Sequence, residues 1–211
     1  MNPGAARSRA KRATDLALAT LLLAVTCPVL FAAMVAIAVT MGRPVVFSQV
    51  RTGLGMRRFT LHKLRTMSNA RDAHGIPRTD SERLTRLGRF LRRSSIDELP
   101  GLINVVRGEM SLVGPRPLLP RYEPWYSDRE RLRFTVRPGM TGPAQVSGRN
   151  ALAWNDRLEL DARYVERWTY ALDLQIIVRT LGKTLVGSGT VADPAGFMAD
   201  LDAERSGVRR C

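Results

Sequence analysis

Asp97 and Glu98 stand side by side in the run Ser94-Ser95-Ile96-Asp97-Glu98-Leu99-Pro100, and Arg116 follows between Pro115 and Pro117. Adjacent carboxylates can hold a hard divalent cation or supply a nucleophile. An arginine flanked by prolines sits on a restricted backbone, so it can offer its planar fork to a phosphate with little freedom left to lose. Together these groups form an inventory for handling phosphate esters. The same residues also fit a plainer role: Ser95 followed three positions later by Glu98 is a capping-box pattern, Asp97 suits the positive end of a helix, and Pro100 fits a first turn. Both roles stay open on these residues alone.

Other cations could join them. Pro44 to Arg51 alternates β-branched and aromatic residues, Gly53 and Gly55 turn the chain, and Arg58 to Met67 follows, so a β-hairpin is expected. Period-two spacing puts Lys63 and Arg65 on one strand face, as a phosphate or headgroup contact or as a solvated basic edge. His62 has no second His or Cys at metal-ligand spacing and reads as structural. Phe134 to Arg149 is dense in Gly and Pro around Arg137 and Arg149, a composition that fixes backbone amides and guanidinium groups near ligands. Leu84, Leu87 and Leu91 share a helical face amid arginines, which suits either a helix lying on an anionic membrane or a core-packed one. Trp125 and Tyr126 could contact a membrane interface or a nucleobase, or fill the core. Helices are expected over residues 155–167 and 168–185.

These elements need an anchor and a partner. Residues 16–41 carry no charge, and 26 residues at about 1.5 Å each cover roughly 39 Å, longer than the ~30 Å hydrocarbon core. A secretory signal fits poorly, because the apolar run is too long and no small-x-small cleavage site follows. Basic residues flank both ends (Arg7, Arg9, Lys11 and Arg12 before; Arg43, Arg51, Arg57 and Arg58 after), and the positive-inside bias draws both flanks to the cytoplasm. A through-going helix satisfies only one flank. A helix that breaks at Cys27-Pro28 and returns satisfies both; an ordinary kinked span remains the alternative. The whole 211-residue chain has 33 Lys and Arg against 19 Asp and Glu, a net charge of +14, which calls for an anionic partner. Two cysteines, Cys27 and Cys211, suggest no disulfide framework.

The residues from Pro44 through Met67, the Ser-Ile-Asp-Glu-Leu-Pro stretch, the Gly-Glu-Met-Ser-Leu-Val-Gly-Pro-Arg-Pro run, and Arg137-Pro-Gly-Met-Thr-Gly with Gly148-Arg149-Asn150 resemble the bacterial sugar transferases, the monotopic phosphoglycosyl transferases. The likeness runs from about Lys11 to Gly189. It implies transfer of a sugar-1-phosphate from a nucleotide diphosphate sugar, usually UDP-linked, to polyprenyl (undecaprenyl) phosphate, with release of the nucleoside monophosphate, early in glycoconjugate or exopolysaccharide assembly at the bacterial inner membrane. By position it implies Asp97 as nucleophile and magnesium ligand, Glu98 as its dyad partner, and Lys63, Arg65, Arg116, Arg137 and Arg149 as substrate contacts. Mg²⁺ is the implied cofactor and anionic lipids are implied partners; nucleic acid is not, and a homodimer is left open. Leu64 stands where the family usually has Phe, and Cys27 where Ser is common. The expected fold is α+β. Its parts are a flexible basic start (1–10), a re-entrant membrane helix (11–42), a cytoplasmic catalytic domain (43–190) with amphipathic helices, a short hairpin and Gly/Pro-rich loops, and a tail (191–211). The alternative from another class is a membrane-tethered basic binding protein in which Asp97 and Glu98 only cap a helix.

Overall fold

The apolar run is helical throughout. In the computed structural model, which describes residues 3–148, 152–186 and 200–207, helix α1 spans Pro3–Met41 and takes in residues 3–10, expected to be a flexible lead. Pro28 lies inside α1 and does not end it. A proline forfeits one backbone hydrogen bond, here to Ala24, but its φ is helical, so the helix is weakened at that turn without being broken off. Cys27 is exposed beside it. The break expected at Cys27 and Pro28 is therefore a weak point within one helix.

Asp15, Ala19, Leu30, Ala33 and Ile37 are buried along one stripe of α1, while Leu21, Val25, Phe31 and Val39 on other faces stay 59–79% exposed. Large apolar side chains bare over such a length suit a lipid-facing surface. Both ends of α1 dock onto the rest of the chain. Near its start Lys11 pairs with Asp173, Arg12 donates to the carbonyls of Val105 and Val106, and Asp15 accepts from the Ser111 hydroxyl at 2.7 Å. Toward its end Leu30, Ala33 and Ile37 pack with Leu64 and Leu91.

Strands β1 (Val46–Thr52) and β2 (Arg58–Leu64) form the expected hairpin, pairing Phe47 with Lys63, Gln49 with Leu61 and Arg51 with Phe59. Directly paired residues share a face, so Arg51, Leu61 and Lys63 point the same way. Helix α2 (Asp80–Arg83) is closed by a Thr79–Glu82 capping box, and α3 (Arg86–Arg93) is capped by Thr85. Leu84 and Leu91 are buried and Leu87 packs in the cluster that holds Leu91, so the leucine face of this segment serves the core and not a membrane surface. Helix α4 (Gly101–Arg107) leads into β3 (Ser111–Val113), α5 (Asp128–Arg131), β4 (Gly139–Thr141) and α6 (Pro143–Ser147). Helices α7 (Trp154–Arg167) and α8 (Tyr170–Val186) fall close to their expected bounds.

Two further elements depart from expectation. The tail contains α9 (Leu201–Arg205), whose Leu201 is fully buried among Tyr122, Trp154 and Leu158, with Arg205 paired to Glu130. One leucine among polar residues gives no periodic signal. Tyr126 is buried and Trp125 partly so in that same cluster, so both are core residues. The parallel ladder of β3 and β4 joins Ser111 to Gly139 and Val113 to Thr141, laying the Pro115-Arg116-Pro117 segment beside Pro138-Gly139-Met140. Only glycine tolerates that approach: a Cβ on Gly139 would lie 2.1 Å from the backbone nitrogen of Gly114.

Candidate active site

A left-handed residue sets the carboxylates. Ser95 adopts φ 58°, ψ 15° and leads from the end of α3 into a 3-10 turn, Ile96–Glu98; its side chain makes no cap bond. The capping-box role is thereby excluded, because Glu98 turns away from Ser95. Its Oε1 accepts from Lys63 Nζ at 2.6 Å and from Arg116 Nη2 at 3.1 Å. Ile96 and Leu99, on either side of the carboxylates, pack against the cluster that joins Leu30, Ala33 and Ile37 of α1 to Leu64 and Leu91. The turn thus shares a core with the apolar helix.

The two carboxyls differ in charge behaviour. Burial alone would raise Glu98, but the charges and hydrogen bonds of Lys63 and Arg116 outweigh it and hold the group well below the ordinary carboxylate range. Asp97 is 8% exposed. Its carboxyl is pushed up to about 6, first by burial and then by the neighbouring Glu98 charge. Among the described residues nothing donates a hydrogen bond to it. At neutral pH Asp97 is mostly ionised, more basic than a surface aspartate, and unencumbered. Those are the properties of a nucleophile.

Beside this dyad opens a cleft lined by Arg51, Lys63, Glu98 and Arg116 together with Leu61, Gly101, Met110, Pro117, Gly139 and Met140. Asp97 adjoins it through Glu98. Arg116 is fixed from behind: its carbonyl accepts from Arg133, and Arg133 pairs with Asp161 at 3.2 Å where both side chains are almost fully buried. A buried pair of this kind holds geometry well, since removing either partner strands a charge.

The remaining expected site residues divide. Lys63 and Arg116 reach the cleft. Arg65 does not: it is buried and donates to the carbonyls of Met41, Gly42 and Arg43, closing the C-terminal end of α1. It follows the last residue of β2, so strand alternation no longer aligns it with Lys63. Arg137 also turns elsewhere, donating to the Gly108 carbonyl at 2.8 Å beyond the end of α4. Arg149 lies outside the described residues. Arg51 lines the cleft although sequence reading counted it only as a basic flank; the hairpin register is the signal that finds it.

Among the described residues no three His, Cys, Asp or Glu side chains converge on one point. Mg²⁺ keeps several waters and takes one or two oxygen donors from carboxylates plus substrate phosphates. Asp97 fits as its protein ligand, whereas Glu98 Oε1 is already engaged by two cations.

Residues 6–187 match the bacterial sugar transferase family. The chain belongs to that family. The transferase is 47% identical over 179 residues to a sugar transferase of uncharacterised activity, EpsL, from Bacillus subtilis, covering 85% of this chain and 89% of that protein. It is 40% identical over 185 residues to the UDP-glucose:undecaprenyl-phosphate glucose-1-phosphate transferase of Caulobacter vibrioides, covering 83% of this chain and 69% of the relative. An Escherichia coli protein with the same described activity is 36% identical over 186 residues, 83% of this chain but 40% of that longer protein. The transferase is thus an enzyme of the phosphoglycosyl transferase class, and the dyad and cation cleft are the candidate site of its chemistry.

Proposed function

We propose that this transferase moves a sugar-1-phosphate from a nucleotide diphosphate sugar, of the UDP-linked kind, to polyprenyl phosphate through a covalent intermediate on Asp97. The observation that carries this reading is Asp97 itself: an ionised, raised-pKa carboxylate without a hydrogen-bond donor, one residue from a cleft whose cations suit phosphate. An Asp97 oxygen attacks the sugar-bearing phosphorus. The bond from that phosphorus to the bridging oxygen breaks, and the nucleoside monophosphate leaves with the electron pair. Next an oxygen of the polyprenyl phosphate attacks the same phosphorus, the bond to Asp97 breaks, and the carboxylate is restored. Lys63 and Arg116 orient the phosphates and offset their charge. Glu98 holds those two cations in position. Magnesium bound at Asp97 would supply further neutralisation of the phosphate charge and of the leaving group.

The core that the 3-10 turn shares with α1 supports a lipid acceptor, since a polyprenyl phosphate must present its head at the membrane boundary. The docking of Lys11, Arg12 and Asp15 at one end of α1, and of Ile37 and the Arg65 cap at the other, onto the same body of the chain supports a monotopic arrangement in which both ends of α1 keep to the cytoplasmic side. Exposed Arg86, Arg89 and Arg93 flank Phe90, which is 60% exposed on α3, and this patch suits anionic lipid headgroups.

The test is purified protein incubated with a panel of nucleotide sugars and no acceptor. A burst of monophosphate stoichiometric with enzyme, and a sugar-phosphate mass on the peptide containing Asp97, are expected. Monophosphate release only when polyprenyl phosphate is also present, without an adduct, would replace the covalent route with direct transfer in a ternary complex.

A further inference from the structure

We propose that Arg51 is a third phosphate-holding cation of the cleft and that it binds the diphosphate of the donor. This rests on the reading of the substrate as a nucleotide diphosphate sugar. The cleft lining carries Arg51, Lys63 and Arg116 against one carboxylate, Glu98, an excess of two positive charges that matches the two charges of a diphosphate diester. Lys63 and Arg116 are already tied to Glu98. Arg51 has no carboxylate partner among the described residues. Its Nη2 donates to Gln49 Oε1 at 2.5 Å, and Nη1 only weakly to the Pro117 carbonyl at 3.4 Å. Its Nε is buried and has no partner among the described residues.

A guanidinium left short of acceptors at the wall of a cation-rich cleft calls for an anion. Burial first, and the charge of Arg116 second, lower the Arg51 pKa to about 10, so its charge is held against both until a ligand offsets them. The hairpin fixes its direction. Arg51 shares a strand face with Lys63, which already faces Glu98, and Gln49 on that same face holds one edge of the fork.

Arg51→Gln and Arg51→Lys, each in the full-length chain in detergent or nanodiscs, test this. With UDP-glucose as donor probe, the KM for donor should rise about ten- to hundredfold in Arg51→Gln, the scale of a lost charge-assisted contact. The KM for polyprenyl phosphate should stay unchanged, with an intermediate donor KM in Arg51→Lys, which keeps the charge and loses the fork. The apparent Tm of Arg51→Gln should equal or exceed that of the wild type, because a charge repelled by Arg116 has been removed. An unchanged donor KM would overturn the proposal, as would a rise in the acceptor KM alone. A Tm lower by several degrees with a fallen kcat, not rescued by lysine, would make Arg51 structural and overturn it too. Failure of the wild type itself to release monophosphate from any nucleotide sugar would instead overturn the substrate reading.

Discussion

Asp97→Asn should leave the transferase inactive and more stable. The substitution keeps the shape of the side chain and removes its charge. In the fold the Asp97 carboxyl is raised from 3.8 to about 6 by burial and the Glu98 charge. The shift is about two pKa units at 1.36 kcal/mol each, so ionised Asp97 opposes folding by roughly 3 kcal/mol at pH 7. Because the folded pKa is the higher one, the folded state binds the extra proton between pH 3.8 and 6. Stability from this group is therefore full below about 3.8 and lost as pH rises through 6. Asparagine escapes that loss. The variant should gain about 3 kcal/mol at pH 7, or ~6–12 °C in apparent Tm for a chain of this size, and the gain should shrink to about 0.5 kcal/mol at pH 4, where the native aspartate is already protonated. Tryptophan fluorescence melts of both proteins in one detergent, from pH 4 to 8, with monophosphate release measured alongside, provide the check. A variant that melts at or below the wild type at pH 7, or a gap that does not close on acidification, would refute the view that Asp97 is held charged at the expense of the fold.

Magnesium should raise the Tm of the wild type and leave Asp97→Asn nearly unmoved, since a ligand stabilises only the state that binds it; equal shifts would remove Asp97 from the metal site. Arg116→Lys keeps the charge but loses the planar fork, and kcat/KM should fall about ten- to hundredfold; wild-type kinetics would count against that role. In Glu98→Gln the lysine at 63, already lowered by burial and supported upward by Glu98, should lose its proton at lower pH, moving the alkaline limb of the pH–rate profile down. An unmoved limb would assign it to another group. In a background lacking Cys27 and Cys211, Ser8→Cys and Ser48→Cys should label from the same side of the membrane, with Pro28→Leu shifting α1 toward a span; opposite-side labelling in the unaltered helix would end the monotopic reading.

The parts legible in the sequence were those with a local signature. The uncharged run, the hairpin with its glycine turn, α7 and α8, and the carboxylate pair were all readable from composition and period. Lys63 and Arg116 were identified and do meet, through Glu98. What escaped depends on contacts distant in sequence. Arg65 and Lys63 follow the same alternation rule, yet Arg65 falls past the strand, where the open carbonyls of Met41, Gly42 and Arg43 capture it. Arg137 is likewise drawn to Gly108. Arg51 enters the site only through the register of the hairpin, and α9 is held by a single leucine that no window average detects. The parallel ladder that brings Arg116 beside Gly139 joins strands of three residues each, too short for any periodic pattern.

The membrane helix and the chemistry share one support. Ala19 packs with Phe59, Leu61, Leu102 and Met110, and of these Leu61 and Met110 also line the cation cleft. Ile96 and Leu99 bracket Asp97 and Glu98 and pack on the cluster that joins Leu30, Ala33 and Ile37 of the same helix to Leu64 and Leu91. Packed cores transmit displacement because they leave little room to absorb it. A displacement of α1 is therefore passed through these two clusters to the dyad. An acceptor whose phosphate is confined to the lipid boundary can then meet a carboxylate that approaches from the protein side. Helix α1 backs the cleft through Ala19, which clusters with the lining residues Leu61 and Met110, so loosening the contacts of Lys11, Arg12 and Asp15 at its start should impair the acceptor step before it unfolds the chain.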